Sequence, residues 1–395
     1  MKNVSGIVTW CICACFIISG VQAAERSYDD VAQEVKTLSE AGKYSDALIK
    51  AKEAVKSAEA SYGENDPVRI QAYNQYAQLQ KTVGALNKAE KTYEKSITAA
   101  ERAGNNVVLA ATLTRRADLY REQGRYQEAE ENAARAIALI EELEGLESAR
   151  LAAPLSALAL IYRAQEKYDE ADALYKRVIN IKEKAYGPGD LRLGPTMSDT
   201  ALLYRAQGKY REAEWLLKEA ATNVTKAEGE NSINKAPYLM NLAGLYDYEE
   251  RYAESETQYR EALRVIEAER GPDHPDVAVV LNNLALACKA QDKDEEAEQL
   301  YLRALEIFEA TFGEEHVKVA ATLNNLGLLY RKQGDLKKSE KMMKRAKKMK
   351  KETLGEDHPK DTLIFGDLVE VYDKGSEEEP AEGTVPAEGT EEQAS

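Results

Sequence analysis

Apolar positions recur along this chain at intervals of three and four, the spacing that gathers them on one face of an α-helix. Val277 to Ala290 carries Val280, Leu281, Leu284 and Ala287 or Cys288 in this way. Glu295 to Phe312 carries Ala297, Leu300, Tyr301, Ala304, Leu305 and Phe308. Asp292 marks a turn between the two stretches. Gly271-Pro-Asp-His-Pro opens the unit, with Pro275 suited to a first helical turn. Gly313 stands where a helix closes on a left-handed residue. The pattern predicts a helical hairpin.

That hairpin is written about eight times. Its turns are Ala41-Gly-Lys-Tyr, Gln123-Gly-Arg-Tyr, Gln165-Glu-Lys-Tyr, Gln207-Gly-Lys-Tyr, Glu249-Glu-Arg-Tyr, Gln291-Asp-Lys-Asp and Gln333-Gly-Asp-Leu, with a weaker copy at Gly84. Their second residues fall at 42, 84, 124, 166, 208, 250, 292 and 334, a period of 42 with one step of 40. Gly63, Gly104, Gly145, Gly187, Gly229, Gly271, Gly313 and Gly355 close the units. Glu166, Glu250 and Asp292 replace the turn glycine, at a cost of about 1 kcal/mol each if that position has positive φ. Two helices cannot bury their apolar faces alone, so neighbouring hairpins must stack into a solenoid.

Small residues mark where helices approach: Ala77, Ala117, Ala159, Ala201, Ala243, Ala285 and Gly327 before the turns, and Ala47, Ala89, Ala129, Ala171, Ala213, Ser255, Ala297 and Ser339 after them. Tyrosine fills the spaces between. Tyr120, Tyr162, Tyr204, Tyr246 and Tyr330 stand four before a turn; Tyr44, Tyr126, Tyr168, Tyr210 and Tyr252 two after; Tyr93, Tyr175, Tyr259 and Tyr301 nine after. The excess of 22 Tyr over 4 Phe therefore reflects a repeated packing position.

This grammar resembles the tetratricopeptide repeat. The period and the phrase Gly-Pro-Asp-His-Pro-Asp-Val-(x)3-Leu-Asn-Asn-Leu-Ala (271–285) are similar to the kinesin light chain variety. The resemblance spans about residues 31–372. It implies an all-α, right-handed superhelical solenoid of about eight hairpins, whose first helices line a concave groove that binds peptides. Segment 361–372 is expected to be a helix capping the last unit, as terminal repeats require.

Both ends fall outside the repeats. Lys2, the apolar run Ile7–Ile18 and Val21-Gln22-Ala23 predict a secretory signal peptide over 1–23, with an uncleaved membrane anchor as the alternative. The solenoid is then expected over 24–373, in a periplasmic or secreted protein. Residues 374–395 carry seven acidic residues and no apolar period, and are expected to be a disordered tail. Three of the four Cys lie in the leader, which leaves Cys288 without an intramolecular disulfide partner once the leader is removed.

Charge and chemistry narrow the function. A net charge of −16 disfavours a general nucleic-acid binder. His274, His316 and His358 recur at one place in three units, roughly 20 Å apart for stacked hairpins, too far to share a metal. They are expected at turns and helix starts. Carboxylates abound without a catalytic motif, so a non-enzymatic protein with no cofactor is expected.

The concave face is the candidate site. Ten residues before each turn stand Asn74, Thr114, Ser156, Ser198, Met240, Asn282 and Asn324. Three before it stand Lys81, Arg121, Arg163, Arg205, Asp247, Lys289 and Arg331. Seven residues are two helical turns, so each pair shares a face. The resemblance turns that face into the groove and adds Asn241, Asn283 and Asn325, since paired Asn of kinesin light chains contact bound peptide. Asn can bond an extended peptide backbone, and Arg or Lys its carboxylates. A protein or peptide partner, expected to be acidic, follows. The alternatives are a self-associating solenoid using its side surfaces and a hydrolase with no legible site. Lys337–Lys351, with nine cations, reads as the solvated face of a last helix.

Overall fold

The computed structural model describes residues 27–354. The expected leader over 1–23, the expected capping segment 361–372 and the acidic residues 374–395 lie outside the described residues. Sixteen α-helices run through the rest, and there is no strand among the described residues. They pair into eight hairpins: α1 (Tyr28–Glu40) with α2 (Tyr44–Ser61), α3 (Pro67–Thr82) with α4 (Leu86–Arg102), α5 (Asn106–Glu122) with α6 (Tyr126–Glu144), and α7 (Ala152–Ala164) with α8 (Tyr168–Tyr186). The second half repeats this with α9 (Gly194–Ala206) and α10 (Tyr210–Glu228), α11 (Ala236–Tyr248) and α12 (Tyr252–Arg270), α13 (Pro275–Ala290) and α14 (Asp294–Phe312), and α15 (Val317–Lys332) and α16 (Leu336–Leu354).

The two small-residue columns lie where helices cross: Ala77, Ala117, Ala159, Ala243, Ala285 and Ala47, Ala89, Ala129, Ala171, Ala213 and Ala297 are all fully buried. At Gly327 a Cβ would stand 2.7 Å from Met343 Cγ, so only glycine fits α15 against α16 as they are packed. The turn position has positive φ throughout, including 61° at Glu166, 59° at Glu250 and 59° at Asp292. Gly63 departs from the other described unit ends. Helix α2 stops on an extended Tyr62 (φ −124°), so the chain leaves the helix before reaching that glycine and Gly63 is not left-handed.

Curvature follows from which helices touch. From α3 onward each odd-numbered helix packs on the next odd-numbered one as well as on its hairpin partner, whereas consecutive even-numbered helices do not pack to a comparable extent. The odd-numbered helices therefore form the inner wall. The array bends far enough to meet itself, and α2 packs on α14. Tyr44 stacks on Phe312 (centroids 5.7 Å, 15° between planes), and Phe312 stacks on His316 (4.2 Å, 13°).

Tyrosine ties successive units together. The hydroxyls of Tyr120, Tyr162, Tyr204, Tyr246 and Tyr330 donate to Glu90, Glu130, Asp172, Glu214 and Glu298, each on the outer helix of the preceding hairpin. A cation lies over each ring: Arg125 at 4.1 Å, Lys167 at 5.1 Å, Lys209 at 5.3 Å, Arg251 at 4.1 Å and Lys338 at 4.7 Å. Phenylalanine could fill the space but not make the bond.

Candidate peptide groove

The sequence columns fall on the inner helices, but their members differ in what they are free to do. Asn74 is buried, donating to Thr112 Oγ1 (2.9 Å) and accepting from Ser96 (2.9 Å), so it joins units rather than facing a ligand. Asn324 is buried as well. Lys81 pairs with Asp118 and Glu122, and Arg121 also holds Asp118. Burial pushes the Asp118 carboxyl up, but the two cations outweigh it and hold it below its ordinary value. At this end of the wall the basic column is internally neutralised.

In the middle it is not. Arg163 and Arg205 stand on adjacent inner helices, α7 and α9, and no carboxylate among the described residues lies within ion-pairing distance of either. Burial, and then repulsion from Arg163, lower the Arg205 pKa. A Cβ at Gly244 would lie 3.7 Å from an Arg205 guanidinium nitrogen and 3.6 Å from the Tyr259 hydroxyl, so Arg205 lies over bare backbone of α11. Beside it Tyr248 is 64% exposed and packs on Tyr210 at 5.6 Å. Arg331, at the far end, is exposed and likewise unpaired among the described residues.

The asparagine column forms a ladder across units. Asn241 donates to Ser198 (2.7 Å) and Asn325 to Asn282 (3.2 Å), each one repeat back. For Asn283 the equivalent position is Met240, which offers no oxygen, and Asn283 is half-buried on the wall. Lys289, half-buried, lies on the same helix as Asn283.

Asp199 occupies the same column one unit before Asn241 and escaped the sequence reading. Burial raises its pKa against the pull of Arg163, Lys182 and Arg121. Nearby, the hydroxyl of the fully buried Tyr175 has no hydrogen-bond partner among the described residues. The 42-residue register that exposed Asn241, Asn283 and Asn325 also passes through Asp199, and was the signal available.

Two crevices open near the N-terminal ends of the inner helices, away from the basic column. One, of about 720 Å³, includes Pro195, Ile233, Pro237, Met240, Ile266 and Val279; the other, of about 620 Å³, includes Val107, Ala110, Ala149, Pro154 and again Pro195. The wall thus combines apolar hollows with a cationic centre and amide groups. Such a surface can hold an extended chain, anchoring apolar side chains and pairing carboxylates.

Metal binding has one candidate among the described residues: Glu256, Cys288 and Glu296, whose donor atoms lie within 4.8 Å of one another. Glu256 already accepts from Lys293 (2.6 Å) and Gln291 (2.8 Å), and Arg260 bridges it to Glu296. Burial pushes the Cys288 thiol up to about 11, so it stays protonated. The set is an ion-pair network around a neutral thiol.

The architecture is that of an α-helical repeat solenoid. Tetratricopeptide repeat models match residues 70–102 and, in overlapping segments, 108–184, 150–226, 195–265, 234–310, 288–352 and 318–383. The chain belongs to the tetratricopeptide repeat family, whose members act as protein–protein interaction scaffolds. No curated protein matches it in sequence. Among solved structures it is similar to a Rap protein complexed with competence and sporulation factor (TM-score 0.56, 12% identity, 82% of this chain and 99% of that one). It is also similar to a signal transduction ATPase with a tetratricopeptide repeat sensor from Pyrococcus horikoshii (0.53, 14%, 88% and 50%). The kinesin light chain repeats of Podosopora anserina show a likeness at 0.42, 22%, 51% and 95%.

Proposed function

We propose that the mature chain is an exported, non-enzymatic scaffold that captures an extended acidic peptide, or a partner segment of that kind, along its inner wall. The observation that carries this reading is the pair Arg163 and Arg205, two half-buried guanidiniums without a carboxylate partner on a protein of net charge −16. Leaving such groups on a concave wall is unfavourable unless a ligand anion completes them. Asn283 and Arg331 extend the polar track, and the apolar crevices near Pro195 supply anchors. A Rap protein of similar fold is complexed with competence and sporulation factor, in line with a binding role for such a solenoid. Export rests on the sequence of 1–23, and the mass of the mature N-terminus tests it.

The groove is tested with a library of extended peptides varied in charge. Acidic members should bind, and charge reversal at Arg163, Arg205 and Arg331 to Glu should abolish that binding while helicity is retained. Acidic binding left intact in the reversed protein would refute the groove assignment.

A further inference from the structure

The three histidines recur every 42 residues, and the closed turn gives the two described ones a shared task. In the preceding units the same position is Ser148, Asp190 and Ser232, whose side-chain oxygens cap the following helical turn. His274 and His316 cap in their place, Nδ1 accepting from Asp276 N (3.1 Å) and Lys318 N (3.2 Å). A neutral ring that accepts at Nδ1 carries its proton on Nε2. In His274 that nitrogen meets the Glu40 carbonyl at 3.2 Å, across 234 residues of chain. The His316 ring faces the backbone of Thr82, at the same offset. Imidazole thus does what serine cannot: one nitrogen caps its own helix and the other reaches the turn of a hairpin one superhelical turn earlier. The rest of the seam is close-packed. A Cβ on Gly42 would stand 2.4 Å from Pro275 Cδ.

We propose that this seam is an acid-released latch: neutral His274 and His316 hold the solenoid as a closed turn, and their protonation opens it. A proton on Nδ1 removes the acceptor from the cap and places charge in a buried contact. The surroundings supply little to receive it. His274 faces Arg270 on α12, whose guanidinium stands 3.5 Å from Nε2, and Asp276 on α13, whose carboxylate stands 3.6 Å from Nδ1 but is already engaged by Arg270 at 2.7 Å. Lys43 and Asp46 of the first hairpin, Asp273 between α12 and α13, and Glu309 on α14 line the adjoining crevice of about 570 Å³, and Tyr44 lies beside it. His316 is stacked on Phe312 and faces Lys318, a like charge. Burial lowers both histidines, His316 to about 4. The latch is therefore intact above the free-histidine value near 6.5 and weakens as pH falls below it towards the folded value. For His316 alone the closed-to-open ratio should drop about tenfold between pH 7.5 and 5.5.

Small-angle scattering of the full chain at pH 7.5 and 5.5, with circular dichroism alongside, reads the opening. The maximum dimension should grow at pH 5.5 with helicity kept. A His274→Asn/His316→Asn protein keeps a cap acceptor that does not titrate, and its dimension, closed or open, should not change with pH. His358→Asn, with the third histidine removed, should respond like the natural chain. Gly42→Ala should be open at pH 7.5, whereas Gly84→Ala, with the same positive φ but nothing within 4 Å, should not. A dimension constant over this range in the natural chain, or a pH response that survives in the double variant or vanishes in His358→Asn, overturns the latch. A Gly42→Ala chain as compact as Gly84→Ala removes the seam itself.

Discussion

The hydroxyl of Tyr246 donates to Glu214 at 3.0 Å, across the boundary between two hairpins and beneath the guanidinium of Arg251. Arg251 in turn bonds the second Glu214 oxygen at 3.1 Å, so one carboxylate gathers a phenol and a cation from the next unit. Tyr246→Phe should cost about 1 kcal/mol, the net worth of one hydrogen bond. The loss stays small because Glu214 keeps Lys218 and Arg251. Urea denaturation of the variant against the natural chain measures it. Replacing Tyr120, Tyr162, Tyr204 and Tyr246 together should cost several times more and broaden the transition, because unit-to-unit coupling is what makes a repeat array unfold as one.

Turn residues offer gains in stability. Glu250 holds φ 59° without glycine, and Glu250→Gly should stabilise the chain by up to about 1 kcal/mol. Asp292 has the same φ but accepts from Lys332 at 2.7 Å. Asp292→Gly should gain less, and the difference between the two midpoints in thermal unfolding isolates that exposed pair. Equal gains would mean that the pair contributes nothing.

Most of the fold was legible because a solenoid is local. A turn glycine, a pair of small residues and a tyrosine specify each hairpin within 42 residues, and repetition averages out exceptions such as Gln80, which stands four before its turn where most units carry tyrosine. The seam was not legible. Its partners, His274 with Glu40 and Tyr44 with Phe312, depend on summed rotation over many units, which no single period encodes. The groove was half legible. Periodicity placed Lys81 and Arg163 in one column, but whether each cation is free depends on neighbours outside that column. Asp118 and Glu122 neutralise Lys81. Asp199 feels the charge of Arg163 but forms no ion pair with it.

Cys288 should behave as packing rather than as chemistry. Burial lifts its thiol to about 11 and the side chain has no exposed surface. In the chain from Ala24 onward, a disulfide reagent at pH 8 should leave it unmodified until denaturant is added. Labelling at the rate of a free thiol in the native protein would refute this. Cys288→Ala should lower stability modestly, since only a small buried group is removed.

The two ends of the basic column should separate stability from binding. Lys81→Met leaves Asp118 with Arg121 alone and removes one of the partners of Glu122, in surroundings where burial works against both charges. Breaking such a pair costs about 3–5 kcal/mol when it is fully buried and somewhat less here, because Lys81 and Asp118 keep some solvent contact. The sign with pH follows from the lowered Asp118 value. Its contribution is complete above the ordinary carboxylate pKa near 3.9 and is lost as pH falls through the folded one. Lys81→Met should therefore lower stability at pH 7, and its deficit against the natural chain should shrink below pH 3.9. Acidic-peptide affinity at pH 7 should remain within a few-fold of the natural chain. Arg163→Gln with Arg205→Gln should do the reverse: unfolding stays close to natural or improves, because two like charges are relieved, while affinity falls and its dependence on salt flattens. Parallel urea and anisotropy titrations on the two proteins decide the matter, and a binding loss in Lys81→Met equal to that of the arginine pair would contradict a groove centred on Arg163 and Arg205.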